Sequence, residues 1–176
     1  MGDALARRLQ VTRYPAGPSA PPNEEETMLE WLKTNAAKAR ETLTTEVAKF
    51  KNRTFMEAVA NGCALIAAAD GVIQSEEKMK MVGFINNSPE LKVFNLTDVI
   101  KVFTDACAKF EFDFQIGQAE ALKAISKIKG KDGEARLLVR VCIAIGGSDG
   151  NFDDKEKAAC RLICMELGLN PADFEL

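Results

Sequence analysis

CALIAAADGVIQSEEK stands at residues 63–78, and CIAIGGSDGNFDDKEK stands 79 positions later at residues 142–157. The two segments align without a gap, and Cys, Ile, Asp, Gly, Glu and Lys coincide between them. Each segment joins two apolar helical patterns through an Asp-Gly pair, where glycine permits the left-handed conformation that ends a helix. We therefore predict two related helix–loop–helix units, which must pack together because neither hairpin can bury its apolar face alone.

Apolar residues recur every three or four positions along most of the chain, which is typical of amphipathic helices. Helices are predicted near residues 28–50, 54–69, 75–87, 96–110, 114–129, 134–147 and 154–167. The alternating FEFDF at residues 110–114 is too short and isolated for a strand, so we expect a helix connection whose phenylalanines fill the core. The predicted fold class is all-α: a single-domain bundle of about seven helices that contains the two pseudo-repeated helix–Asp-Gly loop–helix units.

Residues 1–27 differ from the rest because YPAGPSAPP at residues 14–22 is soon followed by three glutamates. Such a segment cannot bury enough apolar surface to offset the cost of ordering the chain. We expect a disordered leader or extension over residues 1–27 and the helical domain over residues 28–176. No apolar run has the length that a signal peptide or a membrane span requires.

The composition argues against several classes of function. The net charge of -3 and the aromatic content of 7% provide neither a basic field nor stacking platforms for nucleic acid. The chain has no histidine, which excludes histidine-based triads and histidine-ligated zinc. It also has no Gly-rich phosphate loop and no nucleophile elbow, so we predict no enzyme and no catalytic residue.

The five cysteines lie among alanine, isoleucine, leucine and valine, without a CxxC pair; they are Cys63, Cys107, Cys142, Cys160 and Cys164. Free cysteine is among the most buried residue types. We predict small core side chains in a reduced, intracellular protein, with reactive thiol chemistry as the alternative.

Several short motifs resemble the TerB family of bacterial tellurium-resistance operons. The motifs are KFKN at 49–52, DGV at 70–72 with SEEK at 75–78, ELKVF at 90–94, FD at 112–113 and SDGNFDD at 148–154. A single Asp-Gly loop is a weak signal, but two in order with these flanks are specific. The resemblance extends from about Met28 to Leu176 and does not cover residues 1–27.

The resemblance implies a non-enzymatic, mostly helical protein of a stress-response complex. It implies the membrane protein TerC and other Ter proteins as partners, and a place in the cytoplasm or at the inner face of the cytoplasmic membrane. It also implies a surface that segregates acidic and basic regions.

The distribution of charge along the chain agrees with that implication. Residues 149–176 contain seven acidic and three basic side chains, a net charge of -4, whereas the first predicted helix is basic. Opposed charges of this kind steer protein association, and a basic helix can also lie on an anionic membrane. Partner contacts are predicted for Lys33, Lys38, Arg40, Lys49 and Lys51 on the basic face and for Asp70, Glu76 and Asp154 on the acidic face.

An alternative function is the binding or sensing of Ca²⁺ or another divalent cation. Asp149, Asn151 and Asp153 have the spacing of the first, third and fifth ligands of a calcium loop. Asp154 replaces the expected glycine and Cys160 the bidentate glutamate, which excludes a complete EF-hand and predicts weak binding. The candidate ligands are Asp149, Asn151, Asp153, Glu156, Asp70 and Glu77. Asp153 and Glu156 also have the spacing of a capping box, which would account for both carboxylates without a ligand.

Overall fold

Seven α-helices follow one another in the part of the chain that the computed structural model describes, which is residues 36–71, 73, 75–147, 150 and 152–176. They are α1 (Ala36–Lys49), α2 (Arg53–Ala67), α3 (Ser75–Asn87), α4 (Leu96–Phe112), α5 (Phe114–Ser126), α6 (Asp132–Gly146) and α7 (Asp154–Leu167). Two 3₁₀ turns, Pro89–Leu91 and Pro171–Phe174, complete the architecture. No strand occurs within these residues, so the predicted all-α bundle of about seven helices is confirmed.

Helix α2 lies at the centre of the bundle. Its residues from Phe55 to Ile66 are buried on every side except at Glu57, and it packs against α3, α4, α5, α6 and α7. A helix that is apolar nearly all round is stable only inside a core. Gly62 permits the closest approach, because a Cβ at this position would lie 2.7 Å from Sγ of Cys142 on α6. Because Gly62 has no Cβ, the central helix can lie directly against α6 at this point.

Side-chain caps define where the helices begin. Asn52 accepts a hydrogen bond from the backbone N–H of Phe55 at 2.8 Å and begins α2. Asn95 does the same for α4 through the N–H of Thr97 at 3.0 Å. These caps satisfy amides that have no partner within the helix.

Asp113 is the only residue between α4 and α5, and its side chain caps α5 through the N–H of Ile116 at 2.9 Å. The prediction of a helix connection here is confirmed, but the prediction that its phenylalanines fill the core is wrong for Phe112. Phe110 is buried and Phe114 half-buried, whereas Phe112 is 82% exposed. Because α4 continues through Phe112, two residues of helix turn its side chain about 200° away from that of Phe110.

Helix α1 attaches to the bundle by its apolar stripe. Leu43 and Val47 are buried, and the ring of Phe50 lies 6.1 Å from that of Phe55. A hydrogen-bonded ion pair of 3.3 Å between Arg140 and Glu46 ties α1 to α6. The amphipathic pattern is confirmed from Ala36 onward, while the predicted helical residues 28–35 and the leader predicted over residues 1–27 lie outside the described residues.

The C-terminal 3₁₀ turn is fixed to α6. Phe174 is buried, and the Arg136 guanidinium lies 5.8 Å from the centre of its ring. Arg136 also donates to Asp132 at 3.2 Å and to Asp173 at 3.1 Å. One arginine thus joins the start of α6 to the end of the chain.

The loops that follow α2 and α6 contain the two Asp-Gly pairs. Gly71 has φ 88° and Gly150 has φ 86°, both in the left-handed region that favours glycine. The predicted internal repeat itself stays an inference from the sequence.

Candidate functional site

The loop after α2 and the first turn of α7 meet at an ion pair between Asp70 and Lys155. Nζ of Lys155, in the first turn of α7, donates to Oδ1 of Asp70 at 2.5 Å. Both side chains remain more than half exposed. The hydrogen bond and the charge of Asp70 raise the pKa of Lys155, and the charge of Asp153 adds to this effect. The Lys155 ammonium therefore pairs with Asp70 and also lies in the field of the Asp153 charge.

Asp153 and Glu156 form a capping box at the start of α7. Oδ1 of Asp153 accepts from the backbone N–H groups of Lys155 at 2.8 Å and of Glu156 at 2.9 Å. Oε2 of Glu156 accepts from the N–H of Asp153 at 2.9 Å. The capping box that the spacing predicted is confirmed.

Phe152, the residue before Asp153, makes an apolar contact that the sequence did not reveal. A Cβ at Gly146 would lie 2.7 Å from the ring of Phe152, so Phe152 folds back over the end of α6. Only glycine fits beneath the ring without displacing it. The capping box and this contact together hold the chain on both sides of Asp153.

Three of the six predicted metal ligands have described side chains, and three do not. Asp149 and Asn151 lie outside the described residues, as does the side chain of Glu77. Asp70 binds Lys155, and Asp153 and Glu156 accept the capping hydrogen bonds. Within the described residues, no three acidic, histidine or cysteine side chains come together in an arrangement that could hold a metal ion. The cation site stays a prediction.

The described part of the basic face points into solvent. Lys38, Lys49 and Lys51 are exposed, and none of them forms an ion pair with a described carboxylate. Most other lysines of the described chain do form such pairs, namely Lys78, Lys101, Lys109, Lys123, Lys127, Lys131, Lys155 and Lys157. Lys33 and the side chain of Arg40 lie outside the described part.

The predicted acidic contact residues differ in how exposed and how well paired their carboxylates are. Asp154 projects from the first turn of α7 with a side chain that is 99% exposed, and Lys157 is 3.9 Å away. Asp70 is partly neutralised by Lys155, and the side chain of Glu76 is not described. Asp154 is thus the freely accessible member of the described acidic set.

Sequence reasoning missed Lys155, the residue that connects the two loops. A signal was present, because the 79-residue offset aligns Glu76 with Lys155, which reverses the charge just before the matching Glu-Lys pair. The reversal distinguishes Lys155 from its counterpart in the first segment. Spacing alone could not identify Asp70 as the partner.

The five cysteines are all buried and free, which confirms the prediction of core side chains. Burial raises the pKa of Cys63 and of Cys107 to about 12 and that of Cys164 to about 11. Burial also raises the pKa of Cys142 and of Cys160. Because the thiolate is the reactive form, these thiols are poor nucleophiles in the folded protein.

Comparison with known proteins gives the family. Residues 56–176 match the family described as tellurite resistance protein TerB, and the chain belongs to this family. A relative from Alcaligenes sp, described as "Tellurium resistance protein TerB", is 43% identical over 104 residues, which is 59% of this chain and 85% of the relative. The comparison with solved structures gives no match.

No helix among the described residues is long and apolar enough to cross a bilayer.

Proposed function

We propose that the protein acts in tellurium resistance as a non-catalytic docking module that binds partner proteins through opposed charged faces. The observation that carries the proposal is the set of exposed lysines on and beside α1. Lys38, Lys49 and Lys51 are unpaired within the described chain, although lysine–carboxylate pairs are common elsewhere on the same surface. Unpaired exposed cations retain their attraction for an acidic partner.

The anchoring of α1 supports this role. Arg140 engages Glu46, which removes one of the few carboxylates of the helix from competition for its lysines. The burial of Leu43 and Val47 fixes which face of the helix is turned outward. A fixed presentation of charge lowers the ordering cost of association.

The second face is acidic and lies around the two Asp-Gly loops. Asp154 is almost fully exposed, and the capping box gives the first turn of α7 a fixed geometry. A partner with a basic segment would meet Asp154 there, while Lys155 and Asp70 hold the loops together. Electrostatic complementarity of this kind contributes to specificity and to the rate of association.

The partners that fit best are the membrane protein TerC and other Ter proteins. They follow from the family resemblance, and the charged faces provide the surface that such an assembly needs. The basic face would also bring the protein to an anionic leaflet, since each basic residue near such a surface contributes about 1 kcal/mol. In both cases the protein works from the cytoplasm, at the inner face of the membrane.

Co-purification from a tellurite-resistant bacterium at low and high salt tests the proposal. We expect wild-type protein to retain Ter proteins at low salt and to lose them at high salt, because exposed charges are screened. The variant Lys38/Lys49/Lys51→Glu should lose them at both salt concentrations, and Asp154→Asn should lose those bound by the acidic face. Lys129→Glu is the control, since this lysine is exposed and unpaired in the described chain and lies in the turn after α5. Equal capture by all variants would contradict the proposal.

The alternative function is the binding of a divalent cation at the Asp-Gly loops. The observation that favours it is the exposed carboxylate of Asp70, because a carboxylate that binds one cation, the Lys155 ammonium, offers oxygen ligands to another. The variant Lys155→Met removes the competing ammonium and should therefore bind Ca²⁺ more tightly. The amide shifts of residues 149–156 measure this binding. Unmoved amides at saturating Ca²⁺ in both proteins would exclude this site.

A further inference from the structure

Helix α1 packs mainly against α6 and the Pro89–Leu91 turn, at the outside of the bundle. Among its described side chains only Leu43 and Val47 are buried. The core around α2 is filled instead by side chains of α4, α5, α6 and α7. The bundle would therefore keep most of its core if α1 moved away from it.

The two residues between α1 and α2 form a joint. Lys51 and Asn52 are not helical, and Asn52 is extended, with φ -132° and ψ 158°. The side chain of Asn52 caps α2 through the backbone N–H of Phe55, so the start of α2 does not depend on α1. A change in the backbone angles of these two residues would move α1 as a unit and leave α2 capped.

Two side-chain contacts attach α1 to α6. Arg140 donates to Glu46 at 3.3 Å, and both side chains are about one third exposed. The ring of Phe50 lies on Gly133, where an added Cβ would be 3.1 Å from the ring. Ion pairs that water reaches contribute little to stability. The attachment of α1 is therefore weak beside the packing of the central helix.

The two sides of α1 together have the character of an interfacial helix. Its apolar stripe consists of Leu43, Val47 and Phe50, and the three unpaired lysines of the basic face accompany it. Residues 36–51 contain four basic and two acidic side chains. Helices of this composition lie in the headgroup region of anionic membranes, with the apolar stripe about 5–10 Å deep. An anionic lipid surface complements both the charge and the stripe.

We propose that α1 releases from the bundle at an anionic lipid surface and inserts Leu43, Val47 and Phe50 among the lipid headgroups. The inference rests on the part of the proposed function that brings the protein to an anionic leaflet. It goes beyond that part, because there α1 stays docked and only its lysines meet the lipid.

Release has a cost that keeps α1 docked in water. Phe55 is fully buried, and the ring of Phe50 lies 6.1 Å from its ring, so the departure of α1 uncovers an apolar surface. The lipid shifts the equilibrium because it accepts the stripe only in the released state. The apparent affinity for lipid is then reduced by the small released fraction. Any change that loosens the attachment should tighten lipid binding.

Distances between paired spin labels on the full-length protein test the release. The five native thiols are buried, so cysteines introduced at exposed positions are labelled selectively. Ala48→Cys on α1 with Ala119→Cys on α5 measures the position of α1, and Ala119→Cys with Ala158→Cys on α7 is the matched control; all three alanines are exposed. On phosphatidylcholine vesicles that contain phosphatidylglycerol, the first distance should lengthen and broaden, and the second should not change. An unchanged first distance in vesicle-bound protein overturns the proposal.

Vesicle affinities of three variants separate release from attraction by charge. Arg140→Gln removes a positive charge and frees the negative charge of Glu46, so attraction alone predicts weaker binding. Release predicts binding that is about twofold to fivefold tighter, the range that one such ion pair contributes. Gly133→Ala displaces the Phe50 ring without a change of charge and should act in the same direction. Arg161→Gln loses the same charge from an exposed position on α7 and should not bind more tightly.

The outcomes distinguish the release from the proposed function. Weaker or unchanged binding of both Arg140→Gln and Gly133→Ala overturns the release. If Lys38/Lys49/Lys51→Glu then still loses vesicle binding, attraction to the leaflet stands with α1 docked. Absence of wild-type binding to the anionic vesicles overturns the release and the attraction together. The vesicles contain no protein, so none of these results depends on binding to Ter proteins.

Discussion

Lys155 donates a hydrogen bond of 2.5 Å to Asp70, a residue 85 positions earlier in the chain. The pair joins the loop after α2 to the first turn of α7. Both members are largely exposed, so the pair contributes little to the stability of the fold.

We expect Asp70→Asn and Lys155→Met to lower the free energy of unfolding only slightly, with a coupling that disappears at high salt. A double-mutant cycle from urea unfolding at two salt concentrations measures this coupling. Since the pKa of Lys155 is raised above 10.5 in the folded protein, the contribution is complete below that pH and is lost as the pH rises through the folded value. A coupling that is unchanged by salt would contradict a solvent-exposed pair.

The capping box predicts a larger loss of stability when Asp153 is replaced. We expect Asp153→Ala to lower the free energy of unfolding by about 0.5–2 kcal/mol, because two backbone N–H groups lose their acceptor. Asp153→Ser should retain most of the stability. Asp154→Ala is the matched control, because its side chain is 99% exposed and should matter little in the same urea experiment. Equal losses at the two positions would argue against the cap.

The contact between α2 and α6 predicts that Gly62→Ala is destabilising. The added methyl would lie 2.7 Å from Sγ of Cys142, and overpacking of a core costs about 1–3 kcal/mol. Removal of the sulfur in the double variant Gly62→Ala/Cys142→Ala should restore part of the loss relative to Cys142→Ala alone. Gly83→Ala in α3 is the control: nothing lies within 4 Å of its added Cβ, so we expect stabilisation by about 0.5–1 kcal/mol. Thermal unfolding of the wild type and of the four variants measures these changes in stability.

The buried thiols predict slow alkylation and sensitivity to alkaline pH. The native protein should react with a thiol reagent at pH 8 far more slowly than the unfolded chain, in which all five cysteines are available. Because burial raises the folded pKa above the ordinary value of 9.0, the unfolded chain loses its thiol protons first. Stability should therefore fall as the pH rises from about 9 toward the folded values. Rapid labelling of the native protein would instead indicate an accessible, reactive cysteine.

The helices were predictable from the sequence because their signals are local. The 3.6-residue period and the Asp-Gly and Asn-rich boundaries predicted the ends of α3 and α7 as observed and those of the other fully described helices to within three residues. The capping box was also local, since Asp153 and Glu156 are separated by three residues. Phe112 was predicted wrongly because FEFDF does not reveal that α4 continues to its third residue, which determines the side to which that ring turns.

The contacts between helices could not be predicted from the sequence. The pairing of Asp70 with Lys155 and of Glu46 with Arg140 depends on how distant helices pack, and any exposed lysine could have been the partner. A surface groove lined by Asn61, Ala106 and Ala124 likewise depends on residues of three different helices, which have no distinguishing pattern in the sequence. Charge counts predicted that α1 would be basic, but only the packing revealed that Lys38, Lys49 and Lys51 lack described partners.

The measurement that bears most directly on the docking function is the affinity for purified TerC in lipid nanodiscs, titrated at low and high salt. We predict that wild-type protein binds more weakly at high salt, and that Lys38/Lys49/Lys51→Glu loses at least about tenfold in affinity at low salt, since a like-charge juxtaposition costs several kcal/mol. Empty nanodiscs with and without anionic lipid separate the contribution of the membrane from that of TerC. Lys129→Glu, in the turn after α5, should bind as the wild type does. If the α1 variant binds TerC with wild-type affinity and the same salt dependence, the exposed lysines are not the docking surface and the proposed function is wrong.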